Sequence, residues 1–221
     1  MTPTTLNRTR RVVGTALAAA TLAAALSACA PLIVGGAVVG GVMAVDRRTA
    51  GTQIEDEGIE LRAANRIRET LGDRAHVNVT SYNRQALLTG EVATAQDRQA
   101  VEQMVSQVEN VRSVVNDLAV MPPSTLSQRS TDTFITGKVR ASLVDAQDIS
   151  ANSFKVVTER NTVYLMGRVS QREANRATEI ARGVTDVRKV VRVFEIVSEE
   201  ELRRSAPQPA PVTTDTKPAG G

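Results

Sequence analysis

The chain repeats itself, and the repeat limits what it can fold into. Thr80–Val92, TSYNRQALLTGEV, matches Val157–Val169, VTERNTVYLMGRV, at an offset of 77 that places Gly90 on Gly167 and Val92 on Val169. Gln107–Val115 matches Gly183–Val191 at an offset of 76, and Arg66–Leu71, RIRETL, matches Lys138–Leu143, KVRASL, at 72. On these offsets the second copy is longer between its first helix and first strand. Two copies of about 65 residues each are two small domains, each able to bury its own core, rather than one large one. The expected division is residues 54–120, a Pro/Ser linker over 121–130, and residues 131–200.

Each copy reads helix, strand, strand, helix, strand. Ile59, Ala63, Ile67 and Leu71 recur at helical spacing, then Val77 and Val79 alternate, as do Ala86, Leu88, Gly90 and Val92. Asn83-Arg84 and Arg160-Asn161 are two-residue turn signals. Val101, Met104, Val105 and Val108 mark a second helix, and Asn110–Val120 a last strand. The hairpin strands pair antiparallel, and the strand after the crossover helix adds in parallel. The expected fold class is α+β: two tandem αββαβ units, each a small mixed three-stranded sheet packed on two helices. Gly90 and Gly167 fall mid-strand, where glycine is costly, and close approach of a helix over the sheet is the expected cause.

The flanks differ in kind. Arg8, Arg10 and Arg11 precede the apolar run Val12–Leu26, a secretory pattern too short and Ala-rich for a membrane span. It ends Leu26-Ser27-Ala28-Cys29, similar to the lipobox of a bacterial lipoprotein signal. That resemblance implies a signal peptide over 1–28, cleavage before Cys29, and covalent diacylglycerol and N-acyl groups on it. Cys29 is the only cysteine, so no intramolecular disulfide competes for it. Residues 29–53 read as a lipidated tether, and the Pro-rich residues 201–221 as a disordered tail. The full chain has 27 basic and 24 acidic residues, and the leader holds three arginines and no acid, leaving 24 of each. A nucleic-acid partner is therefore not expected.

Two αββαβ units, each with a Gly-x-Val strand end (Gly90–Val92, Gly167–Val169) and a later Val-x-x-Val-x-x-Val-Val entry (Val108–Val115, Val184–Val191), resemble BON domains. With the lipobox, DRRTAGTQIEDE and TDTFITGKVRASL, the chain resembles the dual BON-domain outer-membrane lipoproteins of the DolP/YraP family. The resemblance implies a periplasm-facing protein that is lipid-anchored in the outer membrane and is not an enzyme. It implies binding to an anionic phospholipid membrane through the second domain, in support of outer-membrane integrity.

Phe134 is the one aromatic in a helical pattern. At the offset of 72 it falls on Arg62, so an aromatic with Lys138 one turn on replaces a charged face. Two readings stand: the ring enters a lipid interface, or it caps the core or the domain junction. The family resemblance favours the first and gives Phe134, Lys138, Arg140 and Ala141 as the phospholipid-binding residues. Little suggests catalysis. The only histidine, His76, starts a strand and reads as an edge residue, and no nucleophile motif accompanies it. Glu102, Glu109, Glu173 and Glu179 read as solvated, and no cofactor or metal site is expected. The rival class is a protein–protein adaptor for an envelope assembly or cell-wall machine, with Phe134 as its hot spot.

Overall fold

The computed structural model describes residues 46–205. The expected signal peptide, Cys29, most of the expected tether and most of the expected tail lie outside the described residues. Among the described residues no helix is long and apolar enough to cross a membrane.

In the first repeat, α1 (Ala50–Leu71) begins where the Thr49 hydroxyl accepts from the N–H of Thr52. It ends at Gly72, whose φ of 54° lets the chain leave with its N–H on the Arg68 carbonyl. β1 (His76–Tyr82) and β2 (Gln85–Val92) form an antiparallel hairpin. Its turn residues Asn83 and Arg84 have φ of 51° and 64°, the backbone that matches strand twist. α2 (Ala95–Ser106), capped by Thr94, crosses over to β3 (Ser113–Asn116), which pairs with β2 in parallel. The second repeat has α3 (Leu126–Asp145), β5 (Lys155–Glu159), β6 (Thr162–Val169), α4 (Gln171–Arg182) and β7 (Lys189–Ile196), with the same pairings. The α+β class and both two-residue turns are as expected.

The third strand of the first repeat is not continuous. It breaks after β3 and resumes as β4 (Ala119–Val120). At the break Asn116 Oδ1 accepts from the N–H of Leu118 at 3.1 Å. Leu118 still enters the core, and Asp117 turns out to accept the Tyr164 hydroxyl at 2.7 Å.

Three expectations are corrected. First, the helices align at 76, not 72: Asp56, Ile59, Ala63 and Ile67 are buried where Asp132, Ile135, Val139 and Leu143 are. The offset of 72 is a slip of about one helical turn, to which an i, i+4 apolar stripe is blind. Phe134 is therefore equivalent to Gly58, and Lys138 to Arg62. Second, the glycines accommodate neighbouring backbone rather than a helix. A Cβ on Gly90, whose φ is 110°, would lie 2.0 Å from the His76 carbonyl oxygen, and one on Gly167 2.4 Å from that of Ser153. Third, Glu173 is buried, because it closes a capping box with Ser170 at the start of α4. Both flanks are also more helical than the domain limits suggested. α1 starts inside the segment read as tether, α3 inside the linker, and α5 (Glu199–Ser205) spans the start of the tail. Glu199, Glu200 and Glu201 in the first turn of α5 and Arg203 and Arg204 in its last suit the helix dipole, and Arg168 pairs with Glu201.

The helices cover one face of each sheet, over cores built around Ile59, Leu88 and Val105, and Ile135, Leu165 and Ala177. The other faces of the two sheets pack on each other through Tyr82, Leu87, Tyr164, Met166 and Val193. With both faces covered, β2 and β6 are buried almost throughout. The hairpin turn of each repeat lies against the far end of the other's sheet. Arg160 donates to the Gly90 carbonyl and the Glu91 carboxylate, while Asn83 donates to Glu195.

Candidate functional site

Back-to-back sheets leave helix faces as the main surfaces open to a partner. Along α3 the core stripe Ile135, Val139 and Leu143 fixes which side faces out. The residues opposite it are Leu126, Ser130, Phe134, Gly137, Ala141 and Val144, all exposed. None is charged. Leu126 is 79% exposed, Phe134 67% and Val144 69%, so the strip presents three large apolar side chains over about five turns.

Of the residues expected to bind lipid, Phe134, Lys138 and Ala141 come together. The Lys138 ammonium stands 5.0 Å from the Phe134 ring centroid, a cation–π contact. The same ammonium donates to Asp186 at 2.9 Å and to the Thr185 carbonyl at 3.0 Å. Its charge is thus already paired with the loop after α4. Arg140 borders the opposite edge of the strip, beside a hollow of about 310 Å³ lined by Asp46, Val144 and Phe154. It is exposed, and among the described residues it has no hydrogen bond or ion pair. The free cation of the strip is Arg140, not Lys138.

The first repeat shows what is special about α3. Arg62 donates to the Glu109 carbonyl as Lys138 does to Thr185. Where Phe134 stands, α1 has Gly58, and a Cβ there would lie 2.8 Å from Arg62 Nη1. In one repeat the cation folds over bare backbone; in the other an aromatic ring holds it up.

Three of the buried carboxylates, Asp56, Asp132 and Glu173, have structural partners. Asp56 accepts from Ser81 Oγ at 2.7 Å, from the N–H groups of Asn83 and Arg84 at 2.8 and 2.7 Å, and from Arg48 at 2.8 Å. Burial opposes its ionisation, but these four donors together hold its pKa below the usual value. Asp132 accepts from the N–H groups of Arg160 and Asn161 at 2.9 and 2.8 Å. Each aspartate ties its helix to the following hairpin turn. Glu173 takes both nitrogens of Arg47, at 2.8 and 2.7 Å, and this pairing with the Ser170 N–H outweighs burial and lowers its pKa.

His76 is on edge strand β1, as its sequence position suggested, but its ring is not idle. Nδ1 lies 3.0 Å from Glu91 Oε2, and Glu159 of the second repeat completes a group of three. The three positions are 15 and 68 residues apart in different repeats, so no spacing motif could have signalled them.

The sequence profile of the BON domain matches residues 56–122 and 131–198, the two repeats of the fold. The chain is 34% identical over 171 residues to the outer membrane lipoprotein DolP of Haemophilus influenzae, covering 76% of this chain and 89% of that protein. It is 33% identical over 155 residues to the 21 kDa hemolysin of Actinobacillus pleuropneumoniae, covering 69% of this chain and 80% of the relative. Two matched BON domains in one chain, together with this similarity along most of its length, show that it belongs to the dual BON-domain outer-membrane lipoproteins of the DolP family.

Proposed function

We propose that the chain is a non-enzymatic lipoprotein that docks on anionic phospholipid through the outward strip of α3 and so supports outer-membrane integrity. The observation that carries this is the exposed, uncharged strip from Leu126 to Val144 with Phe134 near its centre. An aromatic ring and two aliphatic side chains would enter the acyl boundary, and the unpaired Arg140 at the edge would meet lipid phosphate. Lys138 would meet phosphate only by sharing it with Asp186; its first role is to hold the ring. Diacylglycerol and an N-acyl group on Cys29 would anchor the chain from the periplasmic side. Two or more buried chains, at about 0.8 kcal/mol per CH₂, anchor stably, so α3 needs only to orient an already tethered body.

The test is co-sedimentation of the full chain, carrying Cys29→Ser to remove the anchor, with anionic or zwitterionic vesicles. Binding selective for the anionic vesicles and lost in Phe134→Asp is the expected result. Equal recovery of wild type and Phe134→Asp with the vesicles would refute the role of the strip.

A second reading, an adaptor for an envelope protein, has its own support on α1. Ile54 and Leu61 stand exposed there, two turns apart on the face away from the core. If the chain sediments with neither vesicle, that reading takes precedence.

A further inference from the structure

We infer that His76, Glu91 and Glu159 form a zinc site that pins the second repeat to the first. Nδ1 of His76 and one carboxylate oxygen from each glutamate all lie within 4.8 Å of one another. A tetrahedral zinc ion at about 2.0–2.2 Å from each donor sets its ligands roughly 3.3 Å apart. His76 Nδ1 and Glu91 Oε2 are already 3.0 Å apart, so only Glu159 has to draw in.

The charge around the group calls for a cation. Glu91 is fully buried and Glu159 nearly so. Arg160 answers Glu91 on Oε1 at 2.7 Å, leaving Oε2 to His76 and to the N–H of Ser124. Glu159 has no such answer. Among the described residues its carboxylate has one hydrogen bond, from the neutral amide of Asn78 at 2.9 Å, and no ion pair. A buried carboxylate with no cation in direct contact is expensive, and the Glu91 carboxylate lies in the same group of donors. Beside the group on the same face of β2, the Thr89 hydroxyl is buried without a hydrogen-bond partner. Two glutamates and one bound guanidinium leave a net negative charge for a divalent ion, and His76 with two carboxylates is a donor set suited to zinc.

The ion has a way in. An open hollow of about 360 Å³ is lined by both His76 and Glu159. It provides the fourth position for a water molecule. Arg129 stands on its wall, but Ser124 Oγ holds its Nε at 3.2 Å, and Asp132 beside it is spent on the hairpin N–H groups. His76 and Glu91 come from β1 and β2, Glu159 from the end of β5, so zinc would bridge the two sheets at one end of their junction. This inference is independent of lipid docking by α3.

The test uses the full chain carrying Cys29→Ser, so that no thiol competes for metal. After dialysis against Zn²⁺ the expected content is one ion per chain, and Co²⁺ in its place should give the visible absorption of a tetrahedral site. His76→Ala and Glu159→Gln should each weaken Zn²⁺ binding at least tenfold, and the exposed Glu109→Gln should not. Glu159→Gln keeps the shape and removes the unanswered charge, so its metal-free melting temperature should be no lower than that of the wild type. Absence of bound Zn²⁺ in the wild type, or a full ion retained by both His76→Ala and Glu159→Gln, would overturn the site.

Discussion

Asp56 and Asp132 are the same residue in two repeats, and they allow a prediction with its own control. In Asp56→Ala four donors lose their acceptor: the Ser81 hydroxyl, the N–H groups of Asn83 and Arg84, and the Arg48 guanidinium. Removing one partner of a buried ion pair costs about 3–5 kcal/mol, and each stranded donor about 1–3 kcal/mol where water cannot replace the bond. Asn83 and Arg84 border solvent at the turn, so their share falls at the low end. The expected loss is about 4 kcal/mol for Asp56→Ala. Among the described residues the Asp132 carboxylate accepts only from the two hairpin N–H groups, at 2.9 and 2.8 Å, and from no guanidinium. Asp132→Ala should therefore cost about half as much, roughly 2 kcal/mol. The assay is equilibrium urea unfolding followed by circular dichroism, with the slope checked for constancy between variants. A loss below about 1 kcal/mol for Asp56→Ala would refute the claim that these carboxylates hold helix to hairpin. So would a larger loss at Asp132 than at Asp56. Either result would reopen the question of whether a buried aspartate here is kept for chemistry rather than for the fold.

The other expectations rest on different parts of the body. Gly90→Ala should cost at least about 3 kcal/mol in the same urea assay, because it adds a Cβ against the His76 carbonyl in a backbone that disfavours any side chain; Gly167→Ala, without a positive φ, should cost less. Asp56 and Glu173 have lowered pKa values in the fold, so their contribution is present above their unfolded values near about 4 and is lost as pH falls through the folded ones. A melting temperature that falls steeply below about pH 4 is the expected result, and Asp56→Asn should flatten that fall; Glu159, whose pKa burial raises, works in the opposite sense at higher pH. Phe134→Ala should leave the urea midpoint nearly unchanged, since it gives up only a surface cation–π contact of about 0.5–1 kcal/mol. The ring would cost about 3–5 kcal/mol to remove if it were a core residue.

Much of the fold was legible because it is written twice. The hairpins were readable from Asn83-Arg84 and Arg160-Asn161, where a polar pair containing asparagine sits between alternating apolar runs and the structure finds positive φ. The helix register was not. An apolar stripe spaced by four looks the same after a shift of four, and what breaks the tie is Asp56 and Asp132, polar residues that read as surface and are buried. The cause of Gly90 was hidden for a related reason: the sequence shows that a side chain is missing, not which neighbour would have met it. Exposure of Phe134 could be argued from its place off the core stripe, but the pairing of Lys138 with Asp186 depends on where a loop some 48 residues on returns. His76, Glu91 and Glu159 lie beyond any local pattern, since they meet only when one sheet is laid on the other.

On the proposed function, that packing also accounts for how a duplicated domain could carry lipid docking on one copy alone. Each sheet has a helix face and a bare face, and the bare faces cover each other through Leu87, Tyr164 and Met166. Apart from the His76, Glu91 and Glu159 group at one end of the junction, neither sheet face remains for a ligand, and the junction ties the two repeats into a single body through Arg160 on Glu91 and Asn83 on Glu195. What differs between the repeats must then be carried on the outward helices. On α1 the position two residues after the buried aspartate is Gly58, and Arg62 lies over it. On α3 it is Phe134, and the matching cation stands above the ring instead. One aromatic side chain, on a helix whose other side is fixed by the same core, is enough to turn a solvated cap into a surface that can meet an apolar boundary. The first repeat would then serve as the rigid support that orients it. On this argument Arg160→Ala, which leaves the fully buried Glu91 without its guanidinium, should split a single calorimetric unfolding transition into two while leaving the α3 strip intact. A single transition at an unchanged temperature would show that the two repeats were never coupled through that pair.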